Sequence, residues 1–285
     1  YKQYKKKNKK SIFLKSLKEP RKEYSWEDVY LNINKLSEEI SKYIKKGDRC
    51  LLVSENRPEW MISDLSIMLS GGVTVPAYTT YTERDYEYII DDCTPTIILI
   101  SDKIQYEKII NIIPKKNFIK RIIFFENIEN IDEELNLTIH DIFKRNNSSN
   151  QNFSDLKIQR RDLACIIYTS GTQGNPKGVM LSHGGILNNC EGANQLLKTF
   201  ISKDPKFLTW LPLSHSYEHT VQFVQIVVGA RVFYAESIDK LIKNMSDCSP
   251  EIMTAVPRFY QNLYQKINVS FSKAIGLKKT LINQT

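Results

Sequence analysis

Short apolar runs alternate with amphipathic stretches in strand–helix pairs of about 25 residues, a pattern that predicts an α/β chain of mostly parallel sheets flanked by helices. A loop rich in glycine and hydroxyl groups, residues 168–178, follows an apolar run at residues 163–167. In a doubly wound α/β protein that is where a phosphate-bearing ligand binds, at the carboxyl end of a strand. The 285 residues, 41% hydrophobic and 25% charged, suffice for a sizeable core and for more than one domain.

The elements follow in order. Residues 12–17 and 23–24 read as two short strands. Ser25 with Asp28 three positions on is a helix start of capping-box type. The apolar spacing of Leu31, Ile33, Leu36, Ile40 and Ile44 carries that helix to about Lys46, with Gly47 as the stop. Residues 50–53 form a strand, Pro58 opens a helix over residues 59–70, and Gly71-Gly72 closes it. Strands at 73–76, 96–100 and 121–125 alternate with helices at 82–93 and 103–113. Residues 146–155 are polar and read as a loop. Beyond the glycine-rich loop, residues 179–183 lead into a helix at 185–197. A strand at 207–211, a helix at 219–228 and a strand at 231–234 come next. A helix at 237–244, a strand at 252–256 and a helix opened by Pro257 through residue 267 complete the pattern. No internal repeat is visible.

Charge is unevenly placed. Residues 1–22 hold nine lysines, one arginine and one glutamate, so they carry +9 of a net +8 and the remainder sums to −1. A solvated, poorly ordered end is the expectation for this run. Contact with anionic lipid heads, peripheral to a membrane, ranks second because no amphipathic helix accompanies the lysines. Nucleic acid ranks below both, since no basic patch interleaved with aromatics occurs elsewhere. No apolar run approaches the roughly 20 residues of a membrane span. Cys50, Cys93, Cys165, Cys190 and Cys248 are scattered and form no C-x-x-C, which fits a reducing cytoplasm; Cys165 reads as a small core residue.

The loop reads Tyr168-Thr169-Ser170-Gly171-Thr172-Gln173-Gly174-Asn175-Pro176-Lys177-Gly178. Its N–H groups and hydroxyls can wrap a polyphosphate, and Lys177 adds a positive charge. It is not a Walker loop: counting from Gly171, Pro176 stands where the second glycine belongs, and Gly178 follows Lys177 in place of a hydroxyl. Nor is it a dinucleotide fingerprint, because Thr172 and Gln173 separate the first two glycines. The plain alternative, a Gly/Ser-rich surface turn, leaves the Pro-Lys-Gly ending unexplained.

A second motif lies at residues 210–220. His215-x-x-Glu218-His219 matches the pattern of inverted zinc peptidases, in which two histidines on one helix face hold zinc and the glutamate is the general base. Pro212 just before it argues against a helix that includes His215, and no third carboxylate ligand can be identified.

Residues 166–179 resemble the signature of the adenylate-forming superfamily, which usually has threonine where this chain has Gln173. Leu211-Pro212-Leu213-Ser214-His215 is similar to a segment that follows that signature in the same enzymes. The longer stretches Trp210 to Thr220, Ala255 to Tyr260, Gly47 to Arg49, Ser54 to Trp60 and Gly71 to Tyr78 resemble the long-chain acyl-CoA synthetases in particular. The resemblance runs from about Ser25 to Lys266.

The resemblance implies the N-terminal domain of the adenylate-forming fold. It also implies ATP-dependent activation of a long-chain fatty acid to acyl-adenylate and then acyl-CoA, with ATP, Mg2+ and coenzyme A. Thr169, Ser170, Gly171, Thr172, Gln173, Gly174 and Lys177 are then the phosphate contacts. Thr169 is the magnesium contact, and His215 with Lys177 acts at the reacting groups. Trp210, Tyr217 and Phe223 are candidates for the mouth of an acyl tunnel, or for core. Activation of an aryl or short-chain acid is the alternative within the superfamily. The zinc peptidase and a lipid-surface module without chemistry stand outside it.

Later motifs of these enzymes are absent before Thr285: a Tyr-Gly-x-Thr-Glu segment, a ribose aspartate and a lysine on a mobile C-terminal domain. The expectation is therefore a truncated AMP-binding domain over residues 23–285, preceded by a basic segment, residues 1–22, that begins a hairpin. Such a fragment should not complete the reaction alone.

Overall fold

The computed structural model describes residues 2–129, 131, 137–145, 156–169 and 176–272. The chain divides into two compact units, Tyr1–Ile252 and Met253–Thr285. The first opens with α1 (Lys2–Lys6), β1 (Ile12–Ser16), β2 (Glu23–Ser25) and α2 (Trp26–Ser41). Then follow β3 (Arg49–Val53), α3 (Pro58–Leu69), β4 (Val73–Ala77), α4 (Glu83–Cys93), β5 (Ile97–Ile100), α5 (Lys103–Glu107) and β6 (Arg121–Phe124). After α6 (Ile139–Lys144) come β7 (Leu163–Thr169), β8 (Lys177–Ser182), α7 (His183–Leu197), β9 (Lys206–Thr209), α8 (Ser216–Val228), β10 (Arg231–Tyr234) and α9 (Leu241–Cys248). The short β11 (Ile252–Met253) falls at the boundary between the two units, and the second holds α10 (Pro257–Ser272).

Two sheets result, as the alternation predicts. One has six strands in the order β6-β5-β3-β4-β7-β8, all parallel except for β8, which runs antiparallel to β7. The other is ordered β11-β9-β10-β1-β2, with β9, β10 and β1 parallel and β2 antiparallel to β1. Strand β3 shows why its run is apolar throughout. Cys50 and Leu52 pack with Trp60, Met61 and Ile62 of α3, while Leu51 and Val53 pack with Tyr86, Ile89 and Ile90 of α4. Successive side chains point to opposite faces, and both faces are covered by helices.

Local signals account for most helix starts. The Ser25–Asp28 capping box is formed, and Thr82 with Asp85 caps α4 in the same way. A third box, Thr138 with Asp141, starts α6, an element the hydrophobic pattern did not reveal. Gly71 closes α3 with φ of 80°, a conformation open to glycine and costly for other residues.

Several boundaries differ from the sequence pattern. Helix α2 stops at Ser41 rather than near Lys46, because the amides of Lys42 and Tyr43 turn back to the carbonyls of Glu39 and Ile40, three residues before. The helix expected over 103–113 ends at Glu107 and continues as separate turns, with Pro114 in the last of them. The helix expected at 237–244 is displaced to Leu241–Cys248, since Asn244 uses its side chain to accept from the Glu236 amide. The strand expected to reach 256 ends at Met253. The approach to α7 is itself a strand, β8, held by its pairing with β7. The loop expected at 146–155 lies outside the described residues.

The basic start does not behave as a loose tail. Gln3 of α1 donates from its side chain to the Val227 carbonyl, and the Tyr4 ring stacks on Tyr30 with centroids 4.3 Å apart.

Candidate active site

The phosphate-type loop joins β7 to β8, so its two ends are locked by a sheet ladder. Thr169 pairs with Lys177 and Tyr168 with Gly178. Cross-strand partners hold their Cβ atoms about 5 Å apart. A threonine and a lysine therefore occupy neighbouring positions at the loop's base, both exposed. Two features fix this base. Tyr168 is buried and donates its phenol to Asp92; burial and that carboxylate both push its pKa up, so it stays protonated. A Cβ on Gly178 would lie 2.8 Å from Ile166 Cγ2, so only glycine lets β8 approach β7 this closely. Ser170, Gly171, Thr172, Gln173 and Gly174 lie outside the described residues.

The second motif follows β9 in the other sheet. Residues 211–213 are clamped by one side chain that sequence reasoning valued only as part of a longer resemblance. Asn56 donates from Nδ2 to the Leu211 carbonyl at 2.6 Å and accepts from the Leu213 amide at 2.9 Å. The chain then turns, with the His215 amide donating to the Pro212 carbonyl, and α8 begins. His215 is the residue that caps this helix. Its Nδ1 accepts from the Tyr217 amide at 3.2 Å, which leaves Nε2–H as the outward donor of the exposed ring.

His219, one turn later, has a different task. It is buried, and its Nε2 lies 2.8 Å from Oδ2 of Asp64 on α3. The two histidines therefore do not converge. One caps its own helix and the other is consumed by a carboxylate, and no cluster of three metal-binding side chains occurs among the described residues. The zinc-peptidase reading of His215-x-x-Glu218-His219 is set aside on that geometry.

A cavity of about 360 Å³ opens at the carboxyl ends of β3, β4, β9 and β10, lined by Ser54, Asn56, Tyr78, Trp210, Ser214 and Ala235 among others. This is where open α/β sheets receive ligands. Trp210 thus faces a cavity, and Ser214 brings it next to the His215 turn. Phe223 does not: it packs against His219 with ring centroids 5.3 Å apart, in the core cluster that includes Cys165. Tyr217 is half exposed.

The pattern of AMP-binding enzymes matches residues 2–281. The chain belongs to that family. Among curated relatives, it is 30% identical over 247 residues to Fatty acyl-CoA synthetase A of Dictyostelium discoideum, covering 84% of this chain and 36% of the relative. It is 30% identical over 276 residues to Long chain acyl-CoA synthetase 3 of Arabidopsis thaliana, covering 91% and 41%. Long-chain-fatty-acid--CoA ligase 5 of Rattus norvegicus is 28% identical over 242 residues, covering 81% and 35%. The chain thus spans between 35% and 41% of the length of these relatives.

Solved structures share the fold. The inhibitor-bound N-terminal domain of FACL13 from Mycobacterium tuberculosis matches with a TM-score of 0.78 at 17% identity, over 93% of this chain and 63% of that one. The red-emitting luciferase of Phrixothrix hirtus matches with 0.74 at 18%, over 86% and 47%. ATP-bound MatB from Rhodopseudomonas palustris matches with 0.72 at 22%, over 91% and 49%.

Proposed function

We propose that this chain carries the phosphate-binding and carboxylate-orienting part of an acid–thiol ligase that activates a long-chain fatty acid. The carboxylate attacks the α-phosphorus of ATP and pyrophosphate leaves; the thiol of coenzyme A then takes the acyl group from the adenylate and AMP leaves. The observation that carries the reading is the pairing of Thr169 with Lys177 at the base of the 170–175 loop. Lys177 offsets the charge that keeps two anions apart, and Thr169 with Ser170, Gly171, Thr172, Gln173 and Gly174 holds the β- and γ-phosphates. Thr169 is exposed and pairs with Lys177, and its hydroxyl is a hard oxygen donor of the kind magnesium takes. Magnesium bound there would neutralise phosphate charge. His215 presents Nε2–H toward the carboxylate oxygens, its ring held by the Tyr217 amide and its turn by Asn56. Tyr78 and Trp210 give the adjoining cavity aromatic walls suited to an acyl chain.

The test joins this chain to the remaining C-terminal part of the Dictyostelium relative and traps the adenylate with hydroxylamine. Hydroxamate should form from palmitate, with ATP, and far less from acetate or benzoate. Lys177→Ala should lower the rate by about 10²-fold or more. Preference for acetate or benzoate would replace the substrate class, and an unaffected Lys177→Ala chimera would sink the assignment of the loop.

A further inference from the structure

The chain on either side of His215 is held by one unit of the fold, the β3–α3 connection and α3 itself. Asn56 stands three residues past the end of β3. Its carboxamide donates to the Leu211 carbonyl at 2.6 Å and accepts from the Leu213 amide at 2.9 Å, so one planar group pairs with the chain as a peptide of a neighbouring strand would. Asn56 is held in turn by its neighbours: Arg57 donates to Glu59 at 3.1 Å and to Glu126 at 2.9 Å, and Pro58 then opens α3. Leu213 is buried in the core cluster that contains Trp60 and Met61 of α3. On the far side, Asp64 of α3 takes the His219 ring at 2.8 Å, and the His219 amide donates to the His215 carbonyl at 2.9 Å. Between these two anchors the His215 ring is exposed.

We infer that Asn56 is a positioning residue for the adenylation step: it fixes the 211–215 turn and thereby the point at which Nε2–H of His215 is presented. The inference rests on the role proposed for His215. A donor displaced by about 1 Å costs on the order of 10²-fold in rate, so a clamp on the turn acts on the chemical step rather than on nucleotide binding. Asn56 also lines the cavity of about 360 Å³. A group acting there directly on substrate would lower the rate whether or not His215 is present. A group acting through the turn has nothing left to position once the imidazole is gone, and the two losses then fail to add. Aspartate at this position keeps the acceptor for the Leu213 amide and loses the donor for the Leu211 carbonyl.

Two measurements test it. In the chimera, hydroxylamine trapping with palmitate and ATP should show kcat of Asn56→Ala lowered by about 10- to 100-fold, with the KM for ATP changed by less than about three-fold. Asn56→Asp, close to the native side chain in size, should keep the native circular dichroism spectrum and lose rate in the same direction. Asn56→Ala combined with His215→Ala should be no slower than His215→Ala alone. In the 285-residue chain, ring-nitrogen NMR of the four histidines should report His215 as the Nε2–H tautomer. Asn56→Ala and Asn56→Asp should move its signals toward the tautomer mixture of a free imidazole, while His140 and His183 keep theirs. The NMR measurement needs no activity, so a chimera that makes no hydroxamate counts against the proposed function and the histidine signals still decide the clamp. Losses that add in the double variant, a raised KM at unchanged kcat, or His215 signals that both variants leave in place would each overturn the inference.

Discussion

Asp64→Asn tests the buried pair that ties α8 to α3 beneath the candidate site. His219 Nε2 and Asp64 Oδ2 are 2.8 Å apart, with side-chain exposures of 2% and 0%. Gln222 also donates to the same carboxylate oxygen at 2.8 Å. Burial works against a charged imidazole here, but the Asp64 carboxylate outweighs it and pushes the His219 pKa from 6.5 up to about 10. Such a change corresponds to about 5 kcal/mol between the two protonation states, an upper bound on what the pair adds to folding.

The sign follows from the direction. A pKa raised by folding stabilises fully below pH 6.5, and the contribution fades as pH climbs and is gone above pH 10. In Asp64→Asn the imidazole loses its counter-charge and reverts to the neutral form, so the loss at pH 6 should be about 2–3 kcal/mol and the decline between pH 6.5 and 10 should flatten. Asp64→Ala, which also leaves His219 and Gln222 without an acceptor, should cost about 3–5 kcal/mol. The assay is urea unfolding at pH 6, 8 and 9.5 followed by tryptophan fluorescence, for which Trp60 is a built-in reporter with its ring 5.2 Å from His219. Parallel stability profiles for the native chain and Asp64→Asn across that range would refute the reasoning.

Glu59 tests the opposite limb. It is buried and accepts from Lys22 at 3.0 Å, Tyr24 at 2.9 Å and Arg57 at 3.1 Å. Burial raises its pKa, but Arg57 and Lys22 prevail and hold it at about 2. Its contribution is therefore present above pH 4.5 and lost as pH falls toward 2; Glu59→Gln should cost about 2–4 kcal/mol at pH 7 and shallow the acid limb, as acid titration by circular dichroism would show. Two glycines should respond with opposite signs to alanine. At Gly72 the new Cβ would meet Ile44 Cδ1 at 2.9 Å, Ile67 Cγ2 at 3.0 Å and the Ile67 carbonyl at 3.2 Å, a loss of about 1–3 kcal/mol. At Gly192, inside α7, it meets nothing within 4 Å, and helix propensity predicts a gain of about 0.5–1 kcal/mol in thermal unfolding.

By itself the sequence determined what short-range physics can encode. The alternation of apolar runs and amphipathic stretches set the α/β class. The serine and threonine caps set helix starts, and even the unread Thr138–Asp141 box was legible by the same rule. The 168–178 loop announced itself by composition and spacing.

Only the tertiary structure decided what depends on partners far apart in the chain. No local feature says that Lys177 begins a strand opposite Thr169, because β8 exists through its ladder with β7. Nor does any local feature say that Asn56 holds residues 211–213, or that Asp64 takes His219 and so parts it from His215. The same holds for the basic start, which a composition reading leaves loose and the fold anchors through Gln3 and Tyr4. These are contacts of side chains brought together by packing, and a helix or strand propensity carries no information about which element it will meet.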